Sequence, residues 1–167
     1  MTTQFMLTLK TNFPVWRTIT MGTGPRTADD FRRAFKKQKI ETNILANAML
    51  SQDTFVVSAE EKEVDLVAVT HRELGSECNL DRRETCCLAL ELGLELCPNE
   101  VGPQLCLQYT GQPDWEQLLI GMDPIICGGV PHIFKMRAHQ QRRCLYDVSD
   151  ICEDLWGNPR YVFVLPR

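Results

Sequence analysis

Residues 133–147 read IFKMRAHQQRRCLYD. Two β-prone arms, Ile133 to Arg137 and Arg143 to Asp147, flank a polar turn at His139-Gln140-Gln141, the pattern of a β-hairpin. The neighbouring stretches continue the theme. Trp115 to Met122 reads as a strand stopped by Asp123-Pro124, and Tyr161 to Leu165 reads as a final strand. Leu105, Leu107 and Tyr109 alternate with Cys106 and Gln108, the period of a half-buried strand, and Pro98 to Pro103 reads as a loop. The links in this half are too short for crossover helices, so the strands must pair mostly antiparallel.

The first half alternates differently. Val15 to Met21 reads as a strand running into Gly22-Thr23-Gly24-Pro25. Thr27 then suits a helix N-cap, with Asp30 in the capping-box position. Ala28, Phe31, Ala34 and Phe35 follow at helical spacing, flanked by Arg32, Arg33, Lys36 and Lys37. A second helix is expected over about Thr42 to Leu50, with Ile44, Leu45 and Ala48 inward. Thr54 to Ser58 and Val64 to Thr70 read as strands, the second apolar enough for burial on both faces, with a solvated turn at Glu60 to Glu63. A third helix starts near Asn79 or Asp81 and ends at Gly93; Leu94 to Cys97 resumes an extended run. Phe5 to Leu9 suits an additional first strand. The fold expected is α+β: one domain over residues 1–167, a mostly antiparallel sheet of about six strands, and about three helices largely on one face.

Length and composition agree. A chain of 167 residues buries roughly 70% of its unfolded surface, so no disulfide or metal staple is required. Eight cysteines are many. The start lacks a basic n-region and a cleavage site, and Cys87, Cys97 and Cys106 sit where core is expected. The expectation is therefore reduced thiols and a cytoplasmic protein. No apolar run is long enough for a transmembrane helix.

One long stretch, Glu91-Leu-Gly-Leu-Glu-Leu-Cys-Pro-Asn-Glu-Val-Gly-Pro-Gln-Leu-Cys-Leu-Gln-Tyr109, resembles a segment of uncharacterised bacterial proteins. Trp16 to Gly24, Thr27 to Phe31, Glu63 to Val67, Ile120 to Ile125, Gly157 to Pro159 and Val162 to Val164 share the likeness. The resemblance implies no activity, cofactor or site residue. Those relatives tend to carry Arg where Cys106 stands, which counts against a cysteine mechanism common to all.

Five functional readings arise from the residues. Between Arg26 and Lys39 stand six basic residues and two acidic ones, on a chain of net charge −4. This favours a non-enzymatic binding protein that meets an acidic protein or polyanion through Arg32, Arg33, Lys36 and Lys37. Nucleic acid is a weaker use of the basic segment 26–39, because a recognition helix at Thr42 to Leu50 would offer only Thr42, Asn43 and Asn47 to bases. The turn containing Thr23, Gly24, Arg26 and Thr27 suits a nucleotide or other anion at a helix start, but it lacks the Walker Lys and a third glycine. Cys127, His132, His139 and Cys144 form a possible zinc set of poor spacing, and mirrored hairpin positions place His132 nearer Asp147 than Cys144. Cys78, seven residues after His71, is the best-placed thiol for a nucleophile. Of the carboxylate pairs, Asp29-Asp30 suits a helix start, while Glu60-Glu61 and Glu153-Asp154 suit exposed turns. No cofactor is expected.

Overall fold

The computed structural model describes residues 12–149 and 159–167; the expected strand at Phe5 to Leu9 and the pair Glu153-Asp154 lie outside them. The elements are β1 (Arg17–Met21), α1 (Ala28–Lys37), β2 (Glu41–Thr42), α2 (Ile44–Leu50), β3 (Lys62–Val69), α3 (Arg82–Glu91), α4 (Val101–Gln108), β4 (Gln117–Ile120), β5 (Ile125–Cys127), β6 (Val130–His139), β7 (Arg142–Ser149) and β8 (Arg160–Val164). All eight strands belong to one sheet, in the order β1-β3-β8-β4-β6-β7-β2, with β5 added beside β6. Pairing is antiparallel except for β2 with β7 and β4 with β8. The protein is therefore α+β with a mostly antiparallel sheet. Among the described residues it has eight strands where about six were expected, the extra ones being β2 and β5, only two and three residues long.

The hairpin forms as its sequence implies. β6 and β7 pair from His132↔Ser149 to His139↔Arg142. Gln140 and Gln141 both take left-handed φ, 49° and 62°, as a two-residue turn that matches strand twist requires.

Strand pairing separates two faces. Leu118 pairs with Met136 and Ile120 with Val162, which puts these side chains on the face of Phe134. An aromatic chain runs over that face: Phe31 of α1 meets Phe55 at 5.7 Å, and Phe55 meets Phe134 at 6.3 Å. α4 lies on the same face. A Cβ at Gly102 would fall 2.9 Å from Phe134 Cβ, so the close approach needs glycine. Tyr161 and Phe163 stack on the opposite face. His71 stacks on Tyr161 and meets Thr85 of α3 at 3.1 Å, which brings α3 to that side.

Both longer helices start at capping boxes, Thr27 with Asp30 and Asp81 with Glu84. Gly93 takes φ 87° beyond α3, ending that helix as expected.

Three expectations are corrected. Residues 101–108 form α4, where a strand was expected from Leu105 to Tyr109 and a loop from Pro98 to Pro103. Pro103 lies in the helix's first turn, where its missing N–H costs nothing. Val101 to Leu107 are all buried, and a helix buried all round shows no amphipathic period. Thr54 to Ser58 forms no strand. Its amides bond to side chains instead, Val56 N to Asn99 Oδ1 and Ser58 N to Glu100 Oε2. In α2 the buried residues are Ala46, Met49 and Leu50, while Ile44 is 87% and Leu45 39% exposed. The helix starts at Ile44, not Thr42, and its inward stripe is set by packing on β5 and β7.

The edge of β1 carries the most unusual feature. Glu100, 1% exposed, accepts from Gly22 N at 2.7 Å, Ser58 N at 2.8 Å and Gln104 Nε2 at 3.0 Å. Gln104 Nε2 also reaches Thr23 O. One turn later, Gln108 accepts from Thr20 N and donates to Thr20 O and to Gln104 Oε1. A row of side chains along α4 thus occupies the side of β1 that has no strand neighbour among the described residues. Gly22 sits at φ 66°, with Glu60 O where a Cβ would be, at 2.2 Å.

Glu100→Ala would strand three donors, each costing about 1–3 kcal/mol when buried and unmade. Urea unfolding should show a loss of at least about 3 kcal/mol, and a smaller loss for Glu100→Gln, which keeps one acceptor. A loss below about 1 kcal/mol for the alanine variant would show the network to be incidental.

Candidate functional site

The basic helix is the first site to build from its residues. α1 buries Phe31 and Phe35 and leaves its other face to water. Its cations fall into two groups. Arg32 bonds Asp29 Oδ1 at 2.7 Å, and its other nitrogen reaches Asn47 O at 2.7 Å and Ser51 Oγ at 2.5 Å. Arg32 therefore ties α1 to α2. Arg26 is similarly engaged, donating to Ser58 O and Ala59 O. Arg33 pairs with Asp30 but stays 75% exposed. Lys36, Lys37 and Lys39 are exposed, and among the described residues none has a carboxylate within ion-pair distance. Of the four cations expected at a partner, Arg33, Lys36 and Lys37 share an outward face, and Arg32 belongs to the fold. Lys39 joins the exposed set; it lay in the sequence segment 26–39 but beyond the helix.

The turn before α1 brings Thr23, Gly24, Arg26 and Thr27 together, yet its donors already face carboxylates. Arg26 N and Thr27 N both reach Asp30 Oδ2, at 3.1 and 3.0 Å, and Gly22 N reaches Glu100. The Thr27 side chain, followed by the Arg26 and Thr27 amides, holds the Asp30 carboxyl below the usual carboxylate range. An external anion would have to displace the chain's own acids.

The polar residues of α2 are also engaged. Asn43 caps the helix through Ala46 N and donates to Asp147 Oδ1 at 2.6 Å. Asn47 donates to Thr42 Oγ1 and to Asn43 O. The groups that a recognition helix would offer to bases thus bond within the fold.

The proposed zinc set is not assembled. His132 and His139 lie seven residues apart on β6, about 23 Å at strand rise. His132 meets Asp147, Nδ1 to Oδ2 2.8 Å, and both side chains are buried. His139 packs its ring against Trp115 at 4.4 Å. No group of three or more metal-binding side chains with suitable geometry occurs among the described residues.

Four buried thiols are shifted up, Cys97, Cys106, Cys127 and Cys144. Burial pushes Cys106 up to about 12, with Arg143 opposing and Cys144 adding to the shift. Burial raises Cys97 further; its Sγ lies 3.3 Å from Val162 O. Cys127 is raised by burial and then by Asp147, and Cys144 chiefly by burial. Cys78, Cys87, Cys97, Cys106, Cys127 and Cys144 carry free thiols, and Cys87, expected in the core, is exposed together with Cys78. α3 turns its Cys86 inward and the adjacent Cys87 outward, as helical geometry demands of neighbours. His71 does not serve Cys78. Thr85 donates to Asp81 O, so His71 Nε2 donates to Thr85, while its Nδ1 accepts from Leu80 N.

A cleft of about 300 Å³ opens between Val56, Ser58, Cys97, Pro98, Asn99 and Asp123. Both ends of the Asn99 amide are used, by Val56 N and Thr54 O. Among the described residues its lining holds one carboxylate, Asp123, and so no carboxylate pair of the glycosidase kind.

The residues that sequence reasoning missed are Glu100, Gln104 and Gln108. Their signal was a Glu-x3-Gln-x3-Gln spacing, which aligns three long polar side chains on one helical face. Compared with protein-family models, curated proteins and solved structures, the chain matches none. No helix among the described residues is long and apolar enough to cross a membrane.

Thiol exposure gives a direct check. In a Cys152→Ser background, a thiol reagent should react quickly with two groups, Cys78 and Cys87, and reach the remaining five only on unfolding. Fast reaction of Cys97 or Cys106, mapped by mass spectrometry, would contradict the packing described.

Proposed function

We propose that this protein is a non-enzymatic binding protein whose contact surface is the exposed basic face of α1, Arg33, Lys36 and Lys37 with Lys39, and whose partner is an acidic protein. The observation that carries this reading is the division of the cations. Arg26 and Arg32 are spent on backbone and helix contacts, whereas the lysines face water without an ion pair among the described residues. Core packing does not need them, since Phe31 and Phe35 supply the buried stripe. A cluster of one sign on an acidic chain raises the encounter rate with an oppositely charged surface and weakens with salt.

The engagement of the candidate catalytic groups supports the non-enzymatic half of the reading. Two of the three histidines considered for chemistry, His71 and His132, are bonded inside the fold. Cys97, Cys106, Cys127 and Cys144 are shifted away from the reactive thiolate by burial.

Neutralisation is the cleaner test, because Lys→Glu in the last turn would also oppose the helix dipole by about 0.3–1 kcal/mol each. Arg33→Gln/Lys36→Gln/Lys37→Gln should keep the wild-type urea midpoint within about 1 kcal/mol of stability. It should lose at least about tenfold in affinity for the acidic partners that the wild type captures from cell extract, a change of about 1.4 kcal/mol. Arg32→Gln should instead lower stability, through its two contacts to α2. A folded triple variant that captures the same partners equally well would reduce the basic face to a solvated surface.

A further inference from the structure

The segment from Thr54 to Ser58 is extended although it pairs with no strand. Its alternate residues bond to one side. Asn99 Nδ2 donates to Thr54 O, Val56 N donates to Asn99 Oδ1, and Ser58 N donates to Glu100 Oε2. Backbone groups at i, i+2 and i+4 that reach the same neighbour have the period of a strand. The side chains alternate accordingly. Phe55 and Val57 pack on the core, while Val56 is 64% exposed.

By the same period, Phe55 and Val57 turn their backbone groups to the opposite edge. Phe55 N donates to Gln52 O in the preceding turn. Phe55 O, Val57 N and Val57 O have no hydrogen-bond partner among the described residues. Both residues are partly exposed, and polar backbone groups that a fold leaves over find partners outside it. One edge of the segment is thus closed by Asn99 and Glu100, and the other is open. An open edge accepts an extended chain. Val57 would exchange both of its hydrogen bonds with one residue of that chain, and Phe55 O would take a further N–H.

Charge selects the occupant. Asp53 precedes this edge, and Glu60 and Glu61 follow it. All three are exposed, and none has a cation within ion-pair distance among the described residues. Lys62 is exposed beside them, and Arg26 is engaged at the carbonyls of Ser58 and Ala59. A second copy paired antiparallel about Val57 would bring Glu60 and Glu61 toward Asp53 of the other copy, and like charges facing across strands are destabilising. Cations at both ends of an incoming segment would meet these carboxylates instead.

We infer that the open edge at Phe55 and Val57 takes up an extended segment of a partner protein with basic residues at its ends, by β-strand addition. The inference does not rest on the basic face of α1.

The peptide Lys-Lys-Thr-Val-Thr-Val-Thr-Lys-Lys, titrated with the full-length protein by fluorescence anisotropy, tests it. The same peptide N-methylated at its central amides keeps its charge but loses its donors, and should bind at least about tenfold more weakly. A version with Glu in place of every Lys should bind more weakly by a similar factor. Val57→Pro deletes a donor that the fold does not use, so the variant should still unfold cooperatively in urea and should lose at least about tenfold in affinity for the parent peptide. If that variant does not fold, the N-methylated peptide reads the same pairing from the other chain. Asp53→Asn/Glu60→Gln/Glu61→Gln, exposed changes that cost little stability, should weaken the parent peptide as well. No binding of the parent peptide, or equal binding of the N-methylated one, overturns the inference. Equal binding of the Glu version refutes the choice of a basic segment. Self-association in sedimentation that Val57→Pro abolishes would assign the edge to a second copy and also overturn it.

Discussion

A buried carboxylate organises one side of this molecule. Glu100 accepts hydrogen bonds from Gly22, Ser58 and Gln104 at once. β1 stands at the end of the sheet order and has β3 as its strand neighbour. An open strand edge is a template for unwanted pairing, and here a helix closes it with side chains. Glu100, Gln104 and Gln108 meet the backbone of β1 and of the turn that follows. The same carboxylate fixes the irregular segment at Ser58, whose carbonyl in turn receives Arg26. The start of α1, and with it the direction of the basic face, follows from this arrangement.

Electrostatics then divides labour among the basic residues. Arginines take the tasks that need planar, multiple donors. Arg32 ties two helices, Arg143 reaches the carbonyls of Cys106 and Leu107, and Arg167 meets Asp65 and Glu63. Lysines at 36, 37 and 39 do none of this and remain in water. A charge of one sign left over after the fold's own needs are met is the feature to which the binding role is attached.

Local chemistry was legible in the sequence where a few adjacent residues decide. Thr27 and Asp81 cap their helices, Gly93 ends one, and the 133–147 hairpin turns at Gln140 and Gln141. The mostly antiparallel sheet followed from short connections. α4 was not legible, because burial all round removed any amphipathic period, its Gln104 and Gln108 bonding β1 and the turn after it, and the alternation of Leu105, Leu107 and Tyr109 imitated a strand. The short strands β2 and β5 exist through tertiary pairing with β7 and β6, which no local pattern announces. For the candidate surface, the sequence located the cations but not their division. Only the position of α2 shows that Arg32 is structural, and that Ile44 and Leu45 face outward.

Amide hydrogen exchange resolved by residue tests the central claim, that α4 side chains close the edge of β1. Exchange slows where an amide is bonded within a cooperatively stable unit. The amides of Thr20, Gly22 and Ser58 should be protected to the same degree as those of β3, although none of the three bonds to a strand neighbour. If they exchange at the rate of open peptide while the β1–β3 ladder stays protected, the edge is open to solvent and the account of this fold is wrong.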